Sequence, residues 1–374
     1  MKEIPVLLML SILIISGCAE ENTRCGDGVC DEFKREHNAC PQDCNQVGES
    51  EDHQYAEGIL YIGMMIHLEG WDNEVNNRDQ FAHHAQAARD LATLFEAHGA
   101  RATFEARPEF VQACEIWNDP VLTELYERGH GIGVHADVGG SVEKEGLTQE
   151  KFSHLIASMK EDTESATGIE IIHISGICST LDWVSAAADA GYSCVSGCVG
   201  YCAMSLPPQD RPAVYWSCKN PAACHGVIPL TLQERLHPWR TNTARNWLNP
   251  DPSGKIVILP SNGGLYYLEE ETQATTSPLE SGTFTREDIT AYINLLEEAL
   301  HYTEKDSVTI FYVALSMGSP HLEESLYHKW FAAIQPYIDS GRVQWKTLPE
   351  MCRLFITQEP STDQHHIICT FHAA

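Results

Sequence analysis

The sequence predicts an α/β fold: a distorted (β/α) barrel of about seven to eight parallel strands, preceded by a small disulfide-rich N-terminal module. Three observations predict it. Continuous apolar runs such as Ile59–Ile66 (ILYIGMMI) are the mark of strands buried on both faces. Amphipathic stretches closed by glycine lie between those runs, and alternating strands and helices imply parallel strands with helical crossovers. Roughly eight such strands beyond residue 57 fit one barrel better than two domains.

In chain order, residues 1–17 read as an export signal. Lys2 is a minimal positive start. Ile4–Ile15 is apolar except for Pro5 and Ser11, and it is too short to span a bilayer of about 30 Å. It ends Ile15-Ser16-Gly17-Cys18, which resembles a bacterial lipobox. That resemblance implies a lipid on Cys18, a membrane contact through the lipid, and an extracytoplasmic address. Residues 18–57 form an acidic, Cys-rich module and linker. Cys25, Cys30, Cys40 and Cys44 would make two disulfides in place of a core. Asp27, Asp31, Glu32 and Asp43 add calcium to the options for residues 25–44, while CxxxxC and CxxxC spacing disfavours zinc there. Asn45–Glu57 is the polar linker.

The barrel occupies residues 58–374. Ile59–Ile66 is its first strand, followed by a helix over Asp79–His98 with Phe81, Ala85, Ala88, Leu91 and Phe95 on one face and Gly99 as cap. Ala102–Phe104 is a second strand. Helix Val121–Arg128, stopped by Gly129, leads into strand Gly131–His135. Helix Phe152–Thr167, capped by Gly168, precedes strand Ile169–Ile174. Helix Leu181–Ala190, capped by Gly191, precedes strand Ser193–Ser196. Strand Ile256–Leu259, helix Arg286–Tyr302, strand Val308–Leu315, helix Leu322–Ser340 and strand Val343–Trp345 complete the set. Residues 194–252 interrupt the pattern with five Cys, several Pro and no periodicity, and read as a long loop insertion, a place where function concentrates.

Charge and cysteine usage set limits. With 24 Lys+Arg against 53 Asp+Glu, a net −29, the chain is no nucleic-acid binder, since phosphate contacts need clustered cations. Fourteen Cys suit an oxidising compartment. Without Cys18 their number is odd, so at least one thiol is unpaired or bridges to another molecule.

In parallel α/β folds the site lies at the carboxyl ends of the strands. The first strand runs into His67-Leu68-Glu69-Gly70-Trp71-Asp72, and the third into His135-Ala136-Asp137. Residues two apart share a face of an extended chain, so His67 pairs with Glu69 and His135 with Asp137. Imidazole and carboxylate converging from several strand tips suit a divalent metal of the zinc type. The expected ligands are His67, Glu69, His135 and Asp137. Glu69, Asp72 and His173 are the expected acid–base residues, and Trp71, Trp183 and Trp216 the sugar-stacking surfaces. Asp182, three residues after Ser179, reads first as a helix cap.

Three segments carry a family resemblance. His98-Gly-Ala-Arg-Ala-Thr-Phe104, Glu127-Arg-Gly-His-Gly-Ile-Gly-Val-His135 and Val343-Gln-Trp-Lys-Thr-Leu-Pro-Glu-Met351 resemble, in order, segments of the polysaccharide deacetylase (NodB-homology) family over roughly residues 58–350. The resemblance implies a distorted (β/α) barrel and metal-dependent removal of acetyl groups from a glycan. Departures are plain: one carboxylate, Glu69, where that family has two adjacent Asp; Gly139 where it has a second His; and His173-Ile-Ser-Gly-Ile-Cys178 in place of an Arg-Pro motif. Two other readings follow from these departures: a non-catalytic carbohydrate-binding lipoprotein, and a glycoside hydrolase built on paired carboxylates.

Overall fold

A computed structural model describes residues 58–362, apart from 70–72, 140–141, 143–144, 217, 219–223, 229, 267–283 and 318–322. The signal 1–17, the module and linker 18–57 with Cys18, the calcium option in 25–44, and Trp71 and Asp72 lie outside the described residues.

Among the described residues the sheet has nine strands: β1 (Leu60–Leu68), β2 (Thr103–Ala106), β3 (Gly131–His135), β4 (His173–Ser175), β5 (Cys194–Val195), β6 (Trp239–Thr241), β7 (Ile256–Ile258), β8 (Thr309–Ser316) and β9 (Val343–Trp345). Their order is β6-β7-β5-β4-β3-β2-β1-β8, with β9 beside the start of β1. Every pairing is parallel except β6 with β7. The segment after β7 then reaches β8. Asn262 N–H donates to Tyr312 O at 3.0 Å, Ala314 N–H to Gly263 O at 2.8 Å and Leu265 N–H to Ala314 O at 2.7 Å. These irregular contacts join β7 to β8 and close the sheet into a distorted α/β barrel, as the sequence predicts.

The helices are α1 (Arg78–Ala97), α2 (Pro108–Trp117), α3 (Val121–Glu127), α4 (Gln149–Thr167), α5 (Trp183–Asp189), α6 (Leu232–Arg235), α7 (Arg286–Leu300), α8 (Glu324–Asp339) and α9 (Leu348–Gln358). Their starts follow ordinary capping chemistry. The Asn77 side chain accepts from Gln80 N at α1, Thr148 from Lys151 N at α4, and Thr285 and Thr347 form capping boxes at α7 and α9. Asp182 caps α5, accepting from Ser185 N at 3.1 Å, and it also holds Ala244 N at 2.8 Å and the Thr243 hydroxyl at 2.8 Å.

Two elements escaped the sequence reading. Helix α2 starts at Pro108, a good first-turn residue, directly after a short strand. Strand β6 sits inside the unpatterned insertion, and Trp239-Arg240-Thr241 is not an apolar run. The insertion also holds three 3₁₀ turns, at Gly200–Ser205, Pro208–Asp210 and Ala213–Tyr215. Disulfides Cys178–Cys202, Cys194–Cys352 and Cys218–Cys224 are present. Cys114 and Cys198 are free and buried. Among the described residues no helix is long and apolar enough to cross a membrane.

Side-chain alternation divides the core in two. Ile62, Met64, Ile66 and Leu68 of β1 point outward into the layer between sheet and helices. Met65 points inward, with Val257, Ile310 and Tyr312 from other strands. One end of this interior is plugged by α9, whose Leu348, Met351, Cys352 and Phe355 join the inner cluster. The Cys194–Cys352 bridge ties that helix to β5. At the other end the inward positions turn polar.

Candidate metal centre

The inward face of β1 continues from Met65 through His67 to Glu69. Register places His67 beside Glu105 of β2, Glu105 beside Gly133 of β3, and His135 beside Ser175 of β4. Alternation in a parallel sheet thus gathers imidazoles, carboxylates and hydroxyls into one layer at the carboxyl ends of the strands.

His67, Glu69 and His135 each offer a ligand atom, and these atoms lie within 4.8 Å of one another. Glu69 Oε2 is 2.9 Å from His135 Nε2, and Glu69 Oε1 is 3.4 Å from His67 Nδ1. The two imidazole rings stack with centroids 3.9 Å apart. Glu69 keeps 22% of its side chain exposed, so the group opens to solvent at the barrel mouth.

Beneath it lies Glu105, fully buried and absent from the expected site. Its Oε1 accepts from Ser196 Oγ at 2.9 Å and contacts His173 Nε2 at 3.0 Å. Its Oε2 accepts from the Ser175 hydroxyl and lies 3.3 Å from His67 Nε2, an ion-pair contact off the line of a hydrogen bond. Burial raises the Glu105 carboxyl pKa, but the close contacts and charge of His173 and His67 outweigh it, so Glu105 is held well below the usual range. Glu69 behaves alike: burial raises it, and His135 and then His67 bring it far down. The His67 imidazole, flanked by these two carboxylates, is raised to about 10 against the opposing effect of burial. Two carboxylates in a half-enclosed layer demand positive charge between them.

His173 reaches Glu105 across an intervening strand because that strand carries glycine. A Cβ at Gly133 would sit 2.2 Å from the His173 ring. Gly176, with φ +63°, likewise leaves room for His135, whose Cε1 would lie 2.8 Å from a Cβ there.

Several expected residues stand elsewhere. Asp137 does not join the group. Alternation assumed an extended chain beyond His135, but Asp137 adopts φ +47° and turns its side chain out, 53% exposed and 3.7 Å from Arg107 Nη1. His173 is fully buried and engaged with Glu105, so it cannot touch a substrate. Trp183 is fully buried, its indole N–H donating to Ser205 Oγ at 3.2 Å, and it offers no face to a sugar. Trp216 is 70% exposed, held by an N–H bond to Arg211 O at 3.0 Å.

Sequence reasoning missed two residues that matter here. Glu105 follows a strand that was ended at Phe104, and one acid inside a short apolar strand was the only signal. His225 lies next to the Cys218–Cys224 bridge in the insertion. It is exposed and feels the charges of His67, Glu69, His135 and Asp137. Enclosure by protein, and then the neighbouring imidazoles, lower its pKa. A cavity of about 480 Å³, lined in part by Trp239, Pro250, Pro252 and Phe355, shares no residue with the group.

No family model matches the chain, and no curated protein matches it. Solved structures do. A probable polysaccharide deacetylase from Pseudomonas aeruginosa aligns at 10% identity over 81% of this chain and 93% of its own, with a TM-score of 0.49. The Puue allantoinase aligns at 12% identity over 84% and 96%, with a TM-score of 0.48. A family 4 acetyl xylan esterase from Clostridium thermocellum aligns at 13% identity over 79% and 91%, with a TM-score of 0.36. Identity at this level says nothing about chemistry.

Proposed function

We propose that the chain is an extracytoplasmic hydrolase, anchored through a lipid on Cys18, that uses a divalent metal, zinc first among them, to remove acetyl groups from a polysaccharide. The observation that carries the metal is the convergence of His67, Glu69 and His135 within 4.8 Å at the open end of a parallel barrel. Two imidazoles and a carboxylate form a donor set that zinc takes in catalytic sites, with a further position left for water or substrate. The second nitrogen of His135 is already engaged by Ser175 Oγ at 2.8 Å, as ligating imidazoles usually are. His67, Glu69 and His135 would hold the ion. Bound there, it supplies Lewis acidity toward an acyl carbonyl and lowers the pKa of water.

The remaining roles belong to the chain. His225 faces the group from the insertion, and its lowered pKa keeps it neutral at pH 7, able to take or give a proton. Trp216 presents an exposed indole on which the C–H face of a sugar ring can stack. Three disulfides suit an oxidising compartment, in line with an export signal at residues 1–17. The acetyl group and the glycan rest on the resemblance of residues 98–104, 127–135 and 343–351 to deacetylase segments. The test is direct: metal content of the purified protein by mass spectrometry, and acetate release from acetylated xylan and acetylated chitooligosaccharides. Folded protein with no metal and no acetate release would overturn the reading.

A further inference from the structure

We propose that Glu105 is a positioning residue that dictates which nitrogen of the His135 imidazole faces the mouth, with Ser175 as its intermediary. The inference rests on the metal-site reading above, and it follows from counting protons. Glu105 is fully buried, and the Ser196 hydroxyl and His173 Nε2 converge on its Oε1 while the Ser175 hydroxyl donates to its Oε2, so the carboxylate accepts at both oxygens. The Ser175 hydroxyl has one proton, and it goes to Glu105 Oε2. Ser175 Oγ must therefore accept from its other neighbour, so His135 Nδ1, 2.8 Å away, carries a hydrogen. The lone pair of His135 then resides on Nε2, which points at Glu69 Oε2 from 2.9 Å. A lone pair and a carboxylate oxygen at that distance need a positive charge between them, a proton or a cation.

His67 lies between the same two carboxylates without a hydrogen bond to Glu105. Its Nε2 points down to Glu105 Oε2 at 3.3 Å and its Nδ1 points to Glu69 Oε1 at 3.4 Å. One carboxylate on β2 thus orients an imidazole from β3 through Ser175 and lies directly beneath an imidazole from β1. Ser196 and His173 bind the opposite oxygen, Oε1, and hold the carboxylate in its plane without touching either ligand. Supporting residues of this kind typically change metal affinity by about 10–100-fold.

The experiment compares zinc affinity by titration calorimetry, and imidazole protonation by long-range ¹H–¹⁵N spectra of the metal-free protein, in wild type, Glu105→Gln, Ser175→Ala and Ser196→Ala. Glu105→Gln and Ser175→Ala should each weaken zinc by about 10-fold or more, and Ser196→Ala by less than about 3-fold. Ser175→Ala keeps the buried charge, so it still tests the proposal should Glu105→Gln unfold. In wild type, His135 Nδ1 should carry its hydrogen before any metal is added. Equal losses in Ser175→Ala and Ser196→Ala would indicate general loosening and overturn the proposal, as would a His135 with bare Nδ1. A wild type that binds no zinc would instead remove the metal-site reading, leaving the His135 spectrum to decide the role of Glu105.

Discussion

The two ends of the barrel interior are built by the same strands and the same alternation, yet they are opposites. At one end α9 drives Leu348, Met351 and Phe355 against Met65 and Ile310, and Cys352 is bridged to Cys194. That end is held by burial of apolar surface together with the disulfide. At the other end the inward positions are His67, Glu69, Glu105, His135, Ser175 and Ser196, whose partners are mainly one another. Burying so much charge is costly in stability and repays nothing unless the group binds something. The contrast teaches where this chain places stability and where it places chemistry.

Four substitutions break or sharpen that contrast, from the largest effect to the smallest. His135→Ala removes a ligand atom from the polar end while leaving the plug intact. Zinc affinity should fall by more than about 100-fold, beyond the loss for a supporting residue, with a near-native melting curve; calorimetry and circular dichroism check both. Met351→Ala is the mirror experiment. It opens a cavity under the barrel and should cost about 2–5 kcal/mol in chemical denaturation, yet leave zinc affinity within about threefold of wild type, near the roughly 0.5 kcal/mol expected of a change away from the site. A matching loss of metal would mean that the two ends are not independent.

Gly133→Ala attacks the boundary between the ends. Its methyl group would meet the His173 ring at 2.2 Å, so the ring must leave Glu105 or the strand must shift. About 1–3 kcal/mol of destabilisation is expected, together with weaker metal binding, and unchanged stability would show that His173 has somewhere else to go. Asp182→Asn lies outside both ends, where the insertion is pinned to α5. Burial raises the Asp182 pKa, but the Ala244 N–H, the Thr243 hydroxyl and the Ser185 N–H lower it further, leaving a net depression. Its ionised form therefore stabilises the fold above the unfolded value near 4, and the benefit disappears as pH falls through the folded value. The variant should be less stable by about 1 kcal/mol at pH 7, with the gap closing toward pH 3; a gap that stays constant with pH would exclude this account.

Much of the fold was legible because buried parallel strands and amphipathic helices leave periodic traces. Gly131–His135 and Val343–Trp345 fall where the pattern placed them, most other strands differ by a residue or two at the ends, and the strand expected over Ile169–Ile174 begins only at His173. Strand β6 left no trace because Trp239-Arg240-Thr241 is not an apolar run and lies within the unpatterned insertion. The site was legible only as far as alternation holds. It gave the pairing of His67 with Glu69, and it failed at Asp137, where the backbone turns left-handed two residues after β3 ends at His135. Glu105 was invisible for a different reason. Its partners come from β1, β4 and the end of β5, at sequence separations no local pattern spans, and only the sheet register reveals that they meet. His225 was hidden by lying in a segment stapled by a disulfide rather than patterned by hydrophobicity.

The shared dependence on Glu105 constrains how such a chain can change over time. His67, His173, Ser175 and Ser196 each contact the same buried carboxylate. A lineage that lost His67 or Ser175 alone would be left with a charge in the interior lacking part of its compensation, and a chain that lost Glu105 alone would strand several donors. Single steps away from this arrangement lead downhill in stability before they lead anywhere new. The set is therefore expected to be inherited or discarded as a block, so that Glu105 marks, in any descendant sequence, whether the mouth of the barrel is still furnished for its work.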